Sequence, residues 1–171
     1  ALLKNTSAKA AVDIAIYDLF AQFYNAPLYK LLGGYRNEII SDLTISVNSP
    51  EEMARDSIEA VELGYKTLKI KVGLDSQMDM KRIQAIRDAV GYDVDLRLDA
   101  NQGWDPKEAV ILLRQMEDKG FDIELVEQPV HANDLEGLKY VTDNVYTPIL
   151  ADEAVFSPLD AIKIIQNRAA D

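Results

Sequence analysis

Lys71, Asp99, Glu127 and Asp152 are one lysine and three acids, set 28, 28 and 25 residues apart in the chain. Steps that even, each the length of one strand–helix unit, bring one side chain per unit to a common rim of a parallel sheet. Three carboxylates crowded together repel, and one must take up a proton unless a cation lies among them. A divalent metal meets that need. The chain has no cysteine and one histidine, so any metal must be held by oxygen or by the single His131. An all-oxygen set with room for water and substrate selects a hard ion, Mg²⁺ first and Mn²⁺ next, and disfavours zinc.

The lysine stands in Thr67-Leu68-Lys69-Ile70-Lys71-Val72-Gly73. Read as a strand, this alternation puts Leu68, Ile70 and Val72 on one face and Thr67, Lys69 and Lys71 on the other. Two ammonium groups then look into one polar cavity. A sheet edge protected by lysines gives the same pattern, and only the carboxylate spacing separates the two readings. Arg97 shares the face of Asp99 and is expected deeper in the barrel, paired with one of the three strand-end acids. Asn101 and Glu153 lie next to the acids in sequence and are expected to support them. His131 reads as a loop histidine, Trp104 as packing at the rim, and the eight tyrosines as packing residues.

Helical spacing of Ala8, Ala11, Ile14, Ala15, Leu19 and Phe20 predicts two short helices between Thr6 and Leu32, punctuated by Pro27 and Gly33-Gly34. A strand is expected over 39–47. Ser49-Pro50, Asp105-Pro106 and Ser157-Pro158 are N-caps with proline at the first helical position. They open helices that alternate with strands at 67–73, 95–99, 123–127 and 149–152; two further helices span 76–90 and 134–144, the latter capped by Asn133. Five alternations predict a parallel sheet with crossover helices. No Gly-x-Gly-x-x-Gly turn follows the first strand, whereas polar residues do stand at strand ends. The expected fold is α/β, an incomplete (β/α)₈ TIM-type barrel of about five units preceded by helices.

At 171 residues, 48% hydrophobic and 27% charged, the composition is that of a globular protein. No apolar run is long enough to span a bilayer and no signal peptide is evident, so the expected location is cytoplasmic, away from membranes. A net charge of −11 argues against nucleic acid as a partner.

Lys69-Ile70-Lys71, Asp99-Ala100-Asn101-Gln102-Gly103-Trp104, Val126-Glu127-Gln128-Pro129 and Ala151-Asp152-Glu153, in that order, resemble the motifs of the enolase superfamily, muconate-lactonizing subgroup. The opening through Leu31-Leu32-Gly33-Gly34 resembles the last helices of that family's capping domain. The resemblance implies that residues 1–38 end a capping domain and residues 39–171 form the first five βα units of the barrel. It implies Asp99, Glu127 and Asp152 as Mg²⁺ ligands, Lys71 as one of two opposed acid/base lysines, and Lys69 as a holder of the substrate carboxylate. Removing a proton α to a carboxylate creates a dianionic ene-diolate, which a divalent cation and ammonium groups stabilise. A base on each face then gives epimerisation.

The strand Thr44-Ile45-Ser46-Val47 and the motif wording look most like the dipeptide epimerases acting on L-Ala-D/L-Glu. Muconate cycloisomerases, o-succinylbenzoate synthases and N-acylamino acid racemases share the same motifs. One more step of the repeat would fall near residue ~177, beyond Asp171, so the second lysine is expected outside this chain. The chain is accordingly read as an enzyme fragment, inactive alone, whose parent binds a small carboxylate, a dipeptide, and forms a homo-oligomer. The contrasting reading is a non-catalytic half-barrel that pairs with another copy.

Overall fold

The computed structural model describes residues 5–171. The described elements run α1 (Thr6–Phe23), α2 (Leu28–Leu31), β1 (Leu43–Ile45), α3 (Pro50–Glu62), β2 (Thr67–Lys71) and α4 (Ser76–Val90). They continue as β3 (Asp95–Asp99), α5 (Pro106–Asp118), β4 (Ile123–Glu127), α6 (Leu135–Thr142), β5 (Ile149–Leu150) and α7 (Pro158–Asn167). Two units are distinct, one ending at Ile40 and one spanning Ser41–Asp171. No helix among the described residues is long and apolar enough to cross a membrane.

In the first unit α1 is the single long helix and α2 is one turn, begun by Pro27. The chain leaves α1 through Asn25, whose φ of 48° cannot continue a helix. Tyr24 meets Phe20 and Phe23 edge to face, with ring centroids 4.8 and 5.1 Å apart.

In the second unit the cap signals act as expected. Ser49 accepts from the Glu52 N–H, Asp105 from those of Lys107 and Glu108, and Ser157 from that of Asp160. One cap is displaced: Asp134, not Asn133, accepts from the Gly137 N–H at the head of α6. The five strands form one parallel sheet in chain order, β1-β2-β3-β4-β5, with helices in the connections. β2 is paired on both sides, so its lysines do not guard an edge. The edges are β1, shorter than the expected 39–47, and β5, which ends at Leu150.

Alternation sorts the sheet into two faces. Leu68, Ile70, Leu96, Leu98 and Val126 pack against Met53, Ile83, Ile86, Leu113, Met116 and Leu138 of the helices, all buried in one cluster. Each such side chain contributes ~2 kcal/mol on burial. The opposite face carries Lys69 and Lys71 in register with Arg97 and Asp99, and these in register with Leu125 and Glu127. Trp104 is buried beside the rim, as its expected packing role requires. Tyr65 is half-buried, but the other seven tyrosines are exposed, against the packing expectation, most of all Tyr35 and Tyr146, which lie in irregular segments.

Alternation fails at one place. The ladder between β3 and β4 pairs Leu96 with Ile123 but Arg97 with Leu125, leaving Glu124 as an extra residue. Such a bulge re-aims a side chain, and Glu124 here takes Arg97 in a two-pronged ion pair, 2.7 Å from Nε and 3.1 Å from Nη2. Arg97 also donates to Asp42 at 3.1 Å. A charged layer thus lies on the lysine face one level below Lys71 and Asp99, and its acids are Asp42 and Glu124.

Candidate active site

The strand ends bring the lysines and two of the acids together. Lys71 Nζ donates to Asp99 Oδ2 and to Asn101 Oδ1, each at 2.7 Å. Lys69 Nζ lies 2.9 Å from Asp99 Oδ2 and 2.6 Å from Glu127 Oε2, bridging the two carboxylates. The Asn101 N–H donates to Asp99 Oδ1, and its side-chain amide donates to Glu153 Oε1 at 3.1 Å. Asn101 and Glu153 therefore do contact the cluster. Glu153 Oε2 is buried with no hydrogen-bond partner among the described residues.

The charges are unequal in number and in surroundings. Burial opposes ionisation of Asp99, but bonds from Lys71, Lys69 and the Asn101 N–H outweigh it and hold the carboxyl below its ordinary range. Burial also works against the Lys69 ammonium, yet its bonds to Glu127 and Asp99 raise its proton affinity. Glu127 is pushed up, by burial foremost and then by the charges of Asp99 and Asp152, against the pull of Lys69. Two ammonium groups face four carboxylates, counting Asp152 and Glu153.

Asp152 is the sequence-selected acid that the strands do not deliver. Glu127 is level with Leu150, the last residue of β5, and Asp152 lies in the turn beyond. Among the described residues no three acidic or histidine side chains are arranged as a ready metal centre. Lys69 lies between Asp99 and Glu127 and supplies the neutralising charge there. The donor set nevertheless suits a hard divalent ion: all oxygen, in excess over the ammonium groups, with one buried oxygen unpaired. His131 is exposed, and its Nδ1 accepts from the Asn133 N–H at 3.2 Å.

Two positioning devices escape sequence reading. Asp79 is fully buried on α4. Its Oδ2 accepts from the Gly73 N–H at 2.8 Å and Trp104 Nε1 at 3.3 Å, and its Oδ1 from Arg82, which also donates to the Asn48 carbonyl. The segments after β1, β2 and β3 are thereby tied together. Gly73, at φ 97°, abuts the Ala100 carbonyl so closely that a Cβ would collide with it. The available signal was spacing, since Asp79, Ile83 and Arg87 form an i, i+4 row on a helix whose other rows bury apolar groups. The second device is the rim backbone. Asn101, Gln102 and Gln128 hold φ values of 42°, 70° and 39°, left-handed conformations that cost about 1 kcal/mol each and concentrate where function requires them.

Comparison with known proteins places this arrangement. Residues 52–171 match the family model "Enolase C-terminal domain-like", and residues 1–33 match "Mandelate racemase / muconate lactonizing enzyme, N-terminal domain". The chain is 65% identical over 170 residues to the L-Ala-D/L-Glu epimerase of Clostridium acetobutylicum, covering 99% of this chain and 48% of that protein. It is 52% identical over 165 residues to the hydrophobic dipeptide epimerase of Enterococcus faecalis, covering 96% of this chain and 46% of the relative. The substrate-liganded structure of the L-Ala-D/L-Glu epimerase from Bacillus subtilis matches with a TM-score of 0.98 at 59% identity, covering 99% of this chain and 48% of that one. The Enterococcus faecalis dipeptide epimerase, solved with Mg and the dipeptide L-Leu-L-Tyr, matches with a TM-score of 0.94 at 52% identity, covering 97% and 46%. The chain spans about half the length of the curated relatives it matches. The five-stranded parallel sheet is accordingly part of an enolase-type barrel, and the chain belongs to the enolase superfamily.

Proposed function

We propose that this chain supplies the first part of the active site of a Mg²⁺-dependent dipeptide epimerase of the L-Ala-D/L-Glu type, with residues 1–38 ending a capping domain and 39–171 beginning the barrel. The observation that carries the reading is the Lys69–Asp99–Glu127 bridge with Lys71 on the same carboxylate. Asp99, Glu127 and Asp152 would hold Mg²⁺, or Mn²⁺ in its place. When bound, that ion supplies positive charge against the negative charge that develops on a substrate carboxylate as its α proton leaves.

The chain's own residues then have distinct tasks. Lys71 removes or returns the α proton from one face. Asn101, which accepts from Lys71 Nζ, fixes the direction of that ammonium. Lys69 holds the substrate carboxylate and adds a second positive charge beside it. Asn101 and Glu153 brace the carboxylates from behind. An acid/base group on the opposite face completes epimerisation, and no residue here is given that part. Homo-oligomerisation belongs to the same reading.

Calorimetry with Mg²⁺ tests it. Saturable binding is expected for the chain and none for an Asp99→Asn, Glu127→Gln double variant; no binding by the folded wild-type chain would refute the metal assignment. A chimera supplying the part of the Bacillus subtilis relative that this chain does not match is expected to epimerise L-Ala-D-Glu. In that chimera Lys71→Ala should lower kcat by ~10² or more, the ordinary worth of a positioned acid/base group.

A further inference from the structure

β4 and β5 share only two register pairs, Val126 with Ile149 and Glu127 with Leu150. A parallel ladder continues by alternation: the Gln128 N–H donates to Leu150 O, which it does at 2.8 Å, and Gln128 O would next accept from the Asp152 N–H. That second bond is not made. Gln128 has φ 39°, and its carbonyl is turned toward β3, where it accepts from the Gln102 N–H at 2.8 Å. The side chain takes over the vacated role. Gln128 Oε1 accepts from the Asp152 N–H at 2.9 Å and the Ala154 N–H at 3.0 Å. Its Nε2 donates to Val130 O at 2.9 Å, and the residue is fully buried.

Two N–H donors on one side and a carbonyl on the other fix the amide's orientation and require both of its atoms. A buried amide satisfied at both ends is rigid, and it reaches Asp152, the one of the three expected metal ligands that no strand delivers.

We infer that Gln128 is the positioning residue for Asp152: its side-chain amide replaces its own backbone carbonyl in the ladder and holds the turn after β5 so that Asp152 stands beside Glu127. The inference deepens the metal reading above and rests on it for the consequence at the metal. Comparable supporting groups alter metal affinity by about 10- to 100-fold.

The test uses the full chain with two readouts, amide hydrogen exchange without metal and Mg²⁺ calorimetry. Gln128→Met keeps the length and removes both polar atoms; Gln128→Glu keeps the acceptor. In Gln128→Met the Asp152 and Ala154 amides are expected to lose protection while those of Leu98 and Val126 keep it, and Mg²⁺ affinity to fall about tenfold. In Gln128→Glu both amides are expected to stay protected. Retained protection in Gln128→Met overturns the inference, as does lost protection with unchanged Mg²⁺ affinity. A wild-type chain that binds no Mg²⁺ refutes the metal reading instead. The placement of Asp152 is then decided by the amides, with protection lost in Gln128→Met supporting it and protection kept overturning it.

Discussion

Arg97 shows how one residue can be placed correctly and given the wrong partner, since it does not pair with Asp99, Glu127 or Asp152. Its place on the face of Asp99 follows from strand alternation, but its partners are Asp42 and the bulged Glu124, which strict alternation would have turned to the helices. The pairing has a pH signature. The Arg97 bonds hold the Glu124 carboxyl below its ordinary 4.5, so the unfolded chain binds the proton more readily than the folded one. The stabilisation is therefore complete above the unfolded value and is lost as pH falls through the folded one. Glu124 is 40% exposed, which keeps the pair's worth to about 1 kcal/mol. Urea unfolding of wild type and Glu124→Gln should differ by about that amount at pH 7 and converge in acid. Lys69, Lys71, Asp99 and Glu127 were legible because each needs only the strand period and the length of one unit. Gln128 and Asp79 were not, because each bonds backbone groups of other segments, and nothing in the local pattern names those partners.

Elements were legible where capping chemistry marks them. Ser-Pro and Asp-Pro open three helices where expected, and removing one such cap, Ser49→Ala, should cost about 1 kcal/mol in thermal or urea unfolding. Element ends set by pairing were less legible. β1 and β5 come out short because each has only one neighbour, and the sequence does not say where a neighbour stops. A contact between elements explains how α4 is held to the sheet. Arg87 is buried and donates to the carbonyls of Phe121, Gly91, Val94 and Asp122, spanning the approaches to β3 and β4. Burial lowers its proton affinity, and the carbonyls must hold the charge. Arg87→Met would strand these acceptors, with an expected loss of about 3 kcal/mol and an unchanged fold by circular dichroism.

On the scale of the whole molecule, the sheet has two edges, β1 and β5; at β5 the Ile149 N–H and carbonyl are taken by the Asp171 side chain and N–H, 2.9 Å each, whereas no strand lies beyond β1. Open edges pair with other chains. Sedimentation should therefore reveal species larger than a monomer that grow with concentration, and Lys or Pro placed at Thr44 should suppress them. Strand order equal to chain order also has a meaning for how the molecule comes into being. Each ladder joins neighbours in sequence, as Lys71 meets Asp99 only 28 residues on, so every closure is a short one and the entropy cost of adding the next strand stays small. A chain emerging from the ribosome presents Lys69 and Lys71 first and the acids one by one afterwards. Asp99 and Glu127 thus arrive to find their counter-charge already made, and the two carboxylates need never face each other without an ammonium group between them.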